Sequence, residues 1–142
     1  MSKRILNIAL SNIDGDNKLY DWIKENTMLL SEHNLLVSRK VAKKIGRYFE
    51  YKNIHVVESE YNTYFQGLHA KIESKEVDLV VRITNDAYNY VVENLKIEEK
   101  CESWGIPFTS SRVSAVKLVT LMRNESLFND KSFDYYDYKS YL

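Results

Sequence analysis

The fold is decided by the run Val77-Asp78-Leu79-Val80-Val81, in which three of the five residues are β-branched and only one is charged. Such a run is typical of a strand that is buried on both faces of a parallel sheet. Similar short apolar runs precede and follow it, at residues 5–10, 35–37, 54–57 and 105–108. The whole set predicts five strands.

The stretches between these runs have apolar residues at three- and four-residue spacing, which predicts amphipathic helices. The helical stretches cover residues 19–30, 41–49, 65–72, 88–103 and 111–122. Strands and helices that alternate with short connections indicate a parallel sheet covered on both sides. We therefore predict an α/β protein with a three-layer α/β/α architecture and a mostly parallel five-stranded sheet.

Length and composition limit the possible functions. The 142 residues fit one domain spanning 1–142, and 20 basic residues balance 20 acidic ones. Because no global field attracts polyanions, we expect neither a nucleic-acid nor a membrane partner. Residues 5–10 are too few for a membrane span. Cys101 is the single cysteine, which excludes an internal disulfide and suits the cytoplasm.

The C-terminal segment 125–142 is rich in tyrosine, with four of the chain's eleven tyrosines in the last eight residues. Tyrosine combines an apolar ring with a polar hydroxyl, so we expect this segment to pack on a surface or at an interface.

Ligands of open parallel sheets bind beyond the carboxyl ends of the strands. The loops at 11–18, 38–41, 58–65, 82–90 and 109–115 are therefore the candidate site.

Four segments carry a family resemblance when they are taken together, in order and at their spacing. They are the run Ile8-Ala9-Leu10 followed by Asp14, Lys18, Trp22 and Leu29-Leu30-Ser31-Glu32-His33; the strand Val77-Asp78-Leu79-Val80-Val81 followed by Asp86-Ala87-Tyr88-Asn89-Tyr90-Val91; Gly105-Ile106-Pro107 with Ser111-Arg112-Val113-Ser114-Ala115; and the closing Asp137-Tyr138-Lys139-Ser140-Tyr141-Leu142. In these segments the chain resembles the methylglyoxal synthases over nearly its whole length.

The resemblance implies a reaction and an alternative to it. Methylglyoxal synthase converts dihydroxyacetone phosphate to methylglyoxal and phosphate, which needs a carboxylate base, charge stabilisation for an enediolate and a phosphate cradle. The allosteric domain of carbamoyl-phosphate synthetase shares the fold and only binds regulatory nucleotides. The family forms homo-oligomers, so a homo-oligomer is expected here.

The family's phosphate cradle, Thr-Gly-Thr-Thr-Gly, matches Ser38-Arg39-Lys40-Val41-Ala42 in this chain. The glycines that let backbone amides approach phosphate are replaced, while Ser38 keeps a hydroxyl and Arg39 and Lys40 add positive charge. The same residues fit the start of a solvated basic helix face. Lys18 matches the family's phosphate lysine, or is an exposed lysine early in a helix.

The catalytic base is missing from its expected place. The family's Gly-Pro-x-Gly-Gly-Asp segment matches Ser59 to Phe65, so Ser59 fits a phosphate-contacting serine while Phe65 stands at the aspartate. A second family aspartate matches Asp86, or Asn85 if the register slips by one. Glu58 and Glu60 are the other carboxylates that could serve. The chain lacks the family's His-Asp-Pro-Asp segment, whose counterpart here is the shorter Val92-Glu93-Asn94-Leu95.

Three further serines follow the last predicted strand: Ser110, Ser111 and Ser114. Their hydroxyls suit a phosphate or a nucleotide sugar, and Ser111 also suits a helix N-cap. The histidines and Cys101 show no metal-ligand spacing, so we expect neither a metal nor a cofactor.

Three hypotheses follow for the function. The first is a domain that binds a small phosphorylated metabolite or nucleotide without synthase activity, through Lys18, Ser38 to Lys40 and Ser59. The second is a divergent phosphate lyase that uses Asp86 as its base. The third is an oligomeric interaction protein with a degenerate pocket.

Overall fold

The computed structural model describes residues 5–11, 18–60, 63–82, 92–109 and 112–122. The strands are β1 (Asn7–Ser11), β2 (Asn34–Val37), β3 (Ile54–Val56), β4 (Leu79–Arg82) and β5 (Phe108–Thr109). The helices are α1 (Lys18–Glu25), α2 (Thr27–Leu30), α3 (Arg39–Ile45), α4 (Tyr64–Glu73), α5 (Val92–Trp104) and α6 (Arg112–Met122), with a 3-10 helix at Tyr51–Asn53. The Tyr-rich segment at 125–142 lies outside the described residues.

The five strands form one sheet in the order β3-β2-β1-β4-β5, and every pair is parallel. In the central strand β1, the successive residues Ile8, Ala9 and Leu10 are all fully buried. Because neighbouring side chains of a strand point to opposite faces, both faces of the sheet are covered. The predicted α/β fold with a parallel five-stranded sheet is confirmed.

The boundaries of β4 and β5 differ from the sequence prediction. The strand β4 begins at Leu79, one residue after Asp78, which bonds Asn7 twice: the Asp78 amide donates to the Asn7 carbonyl oxygen at 2.9 Å, and Asp78 Oδ2 accepts from the Asn7 amide at 2.8 Å. The residues 105–107 belong to the turn that ends α5, since Gly105 has a φ of +68° and the Ile106 amide donates to Cys101. The strand β5 is therefore reduced to two residues.

The predicted helix over residues 19–30 is interrupted at one residue. Asn26 separates α1 from α2, and its side-chain amide donates to the carbonyl oxygen of Trp22 at 2.8 Å. An asparagine that bonds its own backbone in this way competes with helix continuation. No helix within the described ranges is long and apolar enough to cross a membrane.

The crossing from β3 to β4 passes through α4, which begins with a capping box. The Thr63 hydroxyl accepts from the Gln66 amide, and the Gln66 side chain accepts from the Thr63 amide. One turn later Gly67 lies so close to the sheet that an added Cβ would stand 2.2 Å from the carbonyl oxygen of Val57. The close contact fixes the distance between α4 and the sheet.

We predict that Gly67→Ala lowers the free energy of unfolding by about 1–3 kcal/mol, because the methyl group overpacks against a backbone oxygen. Urea denaturation measures the change. The matched control is Gly46→Ala, whose Cβ would lie 3.2 Å from the Ala42 carbonyl oxygen, an approach that a small shift relieves. Equal midpoints for the two variants would contradict the prediction.

Candidate functional site

The loops that follow β2 and β3 lie side by side at the carboxyl edge of the sheet. Val37 pairs with Val56, and the Val57 amide donates to the Val37 carbonyl oxygen at 3.0 Å. This pairing brings the turn at residues 38–40 beside the loop at residues 57–60. Two predicted groups of ligand contacts, one in each loop, are thus neighbours.

The first of these loops opens α3. Ser38 is the N-cap of α3, and its hydroxyl oxygen accepts from the Val41 amide at 3.2 Å. The side chains of Arg39 and Lys40 follow in the first turn and are exposed. The hydroxyl that the resemblance assigns to phosphate therefore caps this chain's own helix, and the positive charges stand at the surface beside it.

A carboxylate of the chain itself lies at this turn. Glu58 Oε1 accepts a hydrogen bond from the backbone amide of Arg39. Cations in the first turn of a helix oppose the helix dipole, and a carboxylate at the same place compensates for this. The sequence signal for this contact is an acidic residue just after β3 facing a basic turn after β2. Ser59, next along the loop, is exposed.

Tyr64 fills the carboxyl edge between the central strands. Its hydroxyl donates to the carbonyl oxygen of Leu10 at 2.8 Å and lies 3.4 Å from that of Leu36. Full burial raises the pKa of the Tyr64 phenol well above its ordinary value. The phenol therefore stays protonated and serves as a hydrogen-bond donor near the carboxyl ends of β1 and β2.

Phe65 stands beside it, at the position where the resemblance to the methylglyoxal synthases expects an aspartate. The rings of Tyr64 and Phe65 meet edge to face, with centroids 5.6 Å apart and planes at 70°. Phe65 is half-buried and packs against the hydrophobic core. An aromatic pair thus occupies the first turn of α4.

Arg82 is a residue that the sequence analysis missed. It ends β4, opposite Ser11 of β1, and is 5% exposed. Its guanidinium bonds Glu98 of α5 at 3.0 Å and lies 5.4 Å from the centre of the Phe108 ring. A buried cation therefore lies where β1 and β4 adjoin, the point at which the strand order reverses and ligands of such sheets bind.

The remaining predicted site residues are dispersed. Lys18 is exposed at the first residue of α1, and Ser114 is buried in the first turn of α6. Asp86, Ser110 and Ser111 lie outside the described residues. Of the predicted contacts, the structure thus brings together Ser38, Arg39, Lys40 and Ser59.

The histidines lie away from this edge or on a helix surface. His33 precedes β2 and its Nδ1 accepts from the Leu6 amide at 3.0 Å, while His55 lies exposed in β3. His69 of α4 is half-buried, and burial, followed by the charge of Lys100, lowers its pKa. In the described ranges, no three histidine, cysteine or acidic residues form a group that could hold a metal.

Cys101 packs in the hydrophobic core as a small apolar residue. It is fully buried in α5, and burial raises the pKa of its thiol to about 12. A thiol held in the protonated form is a poor nucleophile.

The fold defines the class of protein, an α/β domain of methylglyoxal synthase-like architecture. Among solved structures the chain is similar to methylglyoxal synthase from Elizabethkingia anophelis, with a TM-score of 0.65 and 20% identity over 84% of this chain and 83% of that chain. No family model and no curated protein matches the sequence. A likeness at this identity shows the fold, and the predicted architecture is confirmed at that level.

We predict that Tyr64→Phe lowers the free energy of unfolding by about 1–2 kcal/mol, since it removes a buried donor from the Leu10 carbonyl oxygen. Tyr51→Phe, at a site that is 93% exposed, is the control and leaves the stability unchanged.

The raised pKa of Tyr64 in the folded state also predicts a dependence on pH. Above pH ~10 the Tyr64 phenol ionises in the unfolded chain and stays protonated in the folded one, so the wild type loses stability there. The gap between wild type and Tyr64→Phe therefore narrows above that pH, and a constant gap in urea titrations would contradict this.

Proposed function

We propose that this domain binds a small phosphorylated metabolite or nucleotide at the carboxyl edge of its sheet and does not catalyse the synthase reaction. The observation that carries the proposal is the adjacency of two loops, one with Ser38, Arg39 and Lys40 and the other with Ser59. Lys18, at the start of α1, is the further cation that we assign to the ligand.

Positive charge on side chains favours an anionic ligand here. Arg39 and Lys40 are exposed within one turn, and long cationic side chains can close on a phosphate from either side. A phosphate group combines the charge and the acceptor oxygens that such a set of donors recognises.

The absence of synthase activity is inferred from the position of the base. Phe65 cannot accept a proton, and the two carboxylates of the neighbouring loop are Glu58 and Glu60. The carboxylate of Glu58 is engaged with the Arg39 amide. Proton abstraction from carbon needs a base within hydrogen-bond reach of the substrate, and Phe65 stands where the resemblance expects that base.

We predict that the double variant Arg39→Ala with Lys40→Ala has at least tenfold lower affinity for phosphorylated ligands. Two charge-assisted contacts are lost, each worth about 1.5–3 kcal/mol. Calorimetric titration with inorganic phosphate, dihydroxyacetone phosphate and a nucleotide panel measures the affinity. The control, Lys52→Ala with Lys117→Ala, removes the same charge from exposed positions elsewhere. Equal affinities for the two double variants would exclude the proposed site.

The same samples distinguish the alternatives. Methylglyoxal release from dihydroxyacetone phosphate would support the divergent lyase, with Asp86→Asn as the variant that tests its base. A ligand at ~100 times its dissociation constant stabilises the fold by about 2.7 kcal/mol, a shift of several degrees in thermal unfolding. No shift with any ligand, together with a homo-oligomer in sedimentation, would favour the interaction protein.

We predict that Glu58→Gln tightens phosphate binding about three- to tenfold. Glutamine keeps an oxygen that can accept from the Arg39 amide while it removes a negative charge that repels the incoming phosphate. Glu60→Gln, an exposed carboxylate two residues further along the same loop, is the control. A gain of the same size in both variants would mean that the contact between Glu58 and Arg39 does not compete with the ligand.

A further inference from the structure

A second basic surface lies away from the strand ends, in a groove between α1 and α3. The groove has a volume of about 480 Å³ and is lined by Tyr20, Asp21, Lys24, Lys44, Ile45, Arg47 and Tyr48. The Lys44 ammonium lies 4.4 Å from the centre of the Tyr20 ring, and the Arg47 guanidinium lies 5.9 Å from that of Tyr48. We call it the α1–α3 groove.

The charge of this groove is one-sided. Three cations and one carboxylate line it, and the chain from 34 to 49 contains five basic residues and no acidic one. The whole sequence has no net charge, so the compensating negative charge lies elsewhere in the chain. A groove of aromatic rings and cations favours an occupant that carries carboxylates and aromatic rings of its own.

One segment of the chain has this composition. Phe133-Asp134-Tyr135-Tyr136-Asp137-Tyr138 contains two carboxylates, four aromatic rings and no cation. Ten residues, 123–132, separate it from Met122, the last residue of α6, and they reach up to ~33 Å when extended. A domain of this length has a radius of gyration of about 14 Å, so the extended connection is more than twice that radius and carries the segment well away from the end of α6.

We propose that the segment 133–138 docks in the α1–α3 groove of its own chain. Asp134 and Asp137 face the cations Lys44 and Arg47. The aromatic rings pack on Tyr20, Tyr48 and the stem of Lys24. Attachment through the ten-residue connection holds the segment at millimolar effective concentration, so contacts that are weak individually suffice to keep it bound. The proposal is independent of phosphate binding at the strand ends.

The test is disulfide cross-linking in the full-length chain. Asp21→Cys with Tyr136→Cys places one thiol at the groove and one in the segment, and mild oxidation then forms the bond if the two meet. The control replaces Glu76, an exposed carboxylate that lines a groove formed by β3 and the end of α4, and combines Glu76→Cys with the same Tyr136→Cys. Cys101 is buried with a raised pKa and does not compete.

We expect the Asp21 pair to form a monomeric disulfide at least ten times faster than the Glu76 pair, as measured by mass spectrometry and by mobility on a non-reducing gel. Equal rates would overturn the proposal. A disulfide-linked dimer as the main product would also overturn it, since the groove would then hold a second copy. Thermal unfolding of the reduced variants verifies that both remain folded.

Charge reversal gives a second arm in the Asp21→Cys, Tyr136→Cys background. Lys44→Glu with Arg47→Glu should slow disulfide formation tenfold, and adding Asp134→Lys with Asp137→Lys should restore it. Lys44 and Arg47 are exposed, so the reversal leaves the core intact. A rate that is unchanged by the reversal, or not restored by the compensating pair, would overturn the electrostatic match on which the proposal stands.

Discussion

The structure depends on the parallel pairing of β1 with a neighbour on each side, because β1 is buried on both faces and every backbone group it carries must be satisfied. The ladder supplies most of these partners, and side chains supply them at both ends. At the start of β1, His33 accepts from the Leu6 amide and Asp78 from the Asn7 amide. At its end, Tyr64 donates to the Leu10 carbonyl oxygen. These polar residues are explained by the completion of the sheet, and a catalytic role is not needed to account for them.

The alternation of apolar runs and helical periods was sufficient to predict the fold, since a strand that is buried on both faces consists of consecutive apolar residues. The start of β4 was not predictable, because Asp78 bonds Asn7, a residue brought close only by folding. The start of β5 depends on a local turn, in which Gly105 has a positive φ and the Ile106 amide donates to Cys101. The site was predicted in part: Ser38 and Arg39 follow from the strand end. The contact of Glu58 with Arg39 and the buried charge of Arg82 required the neighbouring strands to be in place.

The first turn of α4 shows how this domain differs from a glycine-rich phosphate site. The capping box of Thr63 and Gln66 satisfies the amides that open α4, and the rings of Tyr64 and Phe65 occupy the space beyond them. Backbone amides that cradle a phosphate select for shape, whereas Arg39 and Lys40 attract charge over a longer range. Binding by such side chains depends more steeply on salt and tolerates a broader set of anions.

The helix α3 joins the two basic surfaces, and its charges work against its own stability. Arg39 and Lys43, and likewise Lys40 and Lys44, are like charges four residues apart, each pair costing about 0.2–0.5 kcal/mol. Cations at its start also oppose the helix dipole. What holds the helix is the burial of Val41 and Ile45 and the cap from Ser38, together with the carboxylate of Glu58. Because an anion beside these cations relieves their mutual repulsion, the proposed phosphate binding and the proposed docking would each stabilise the same short helix.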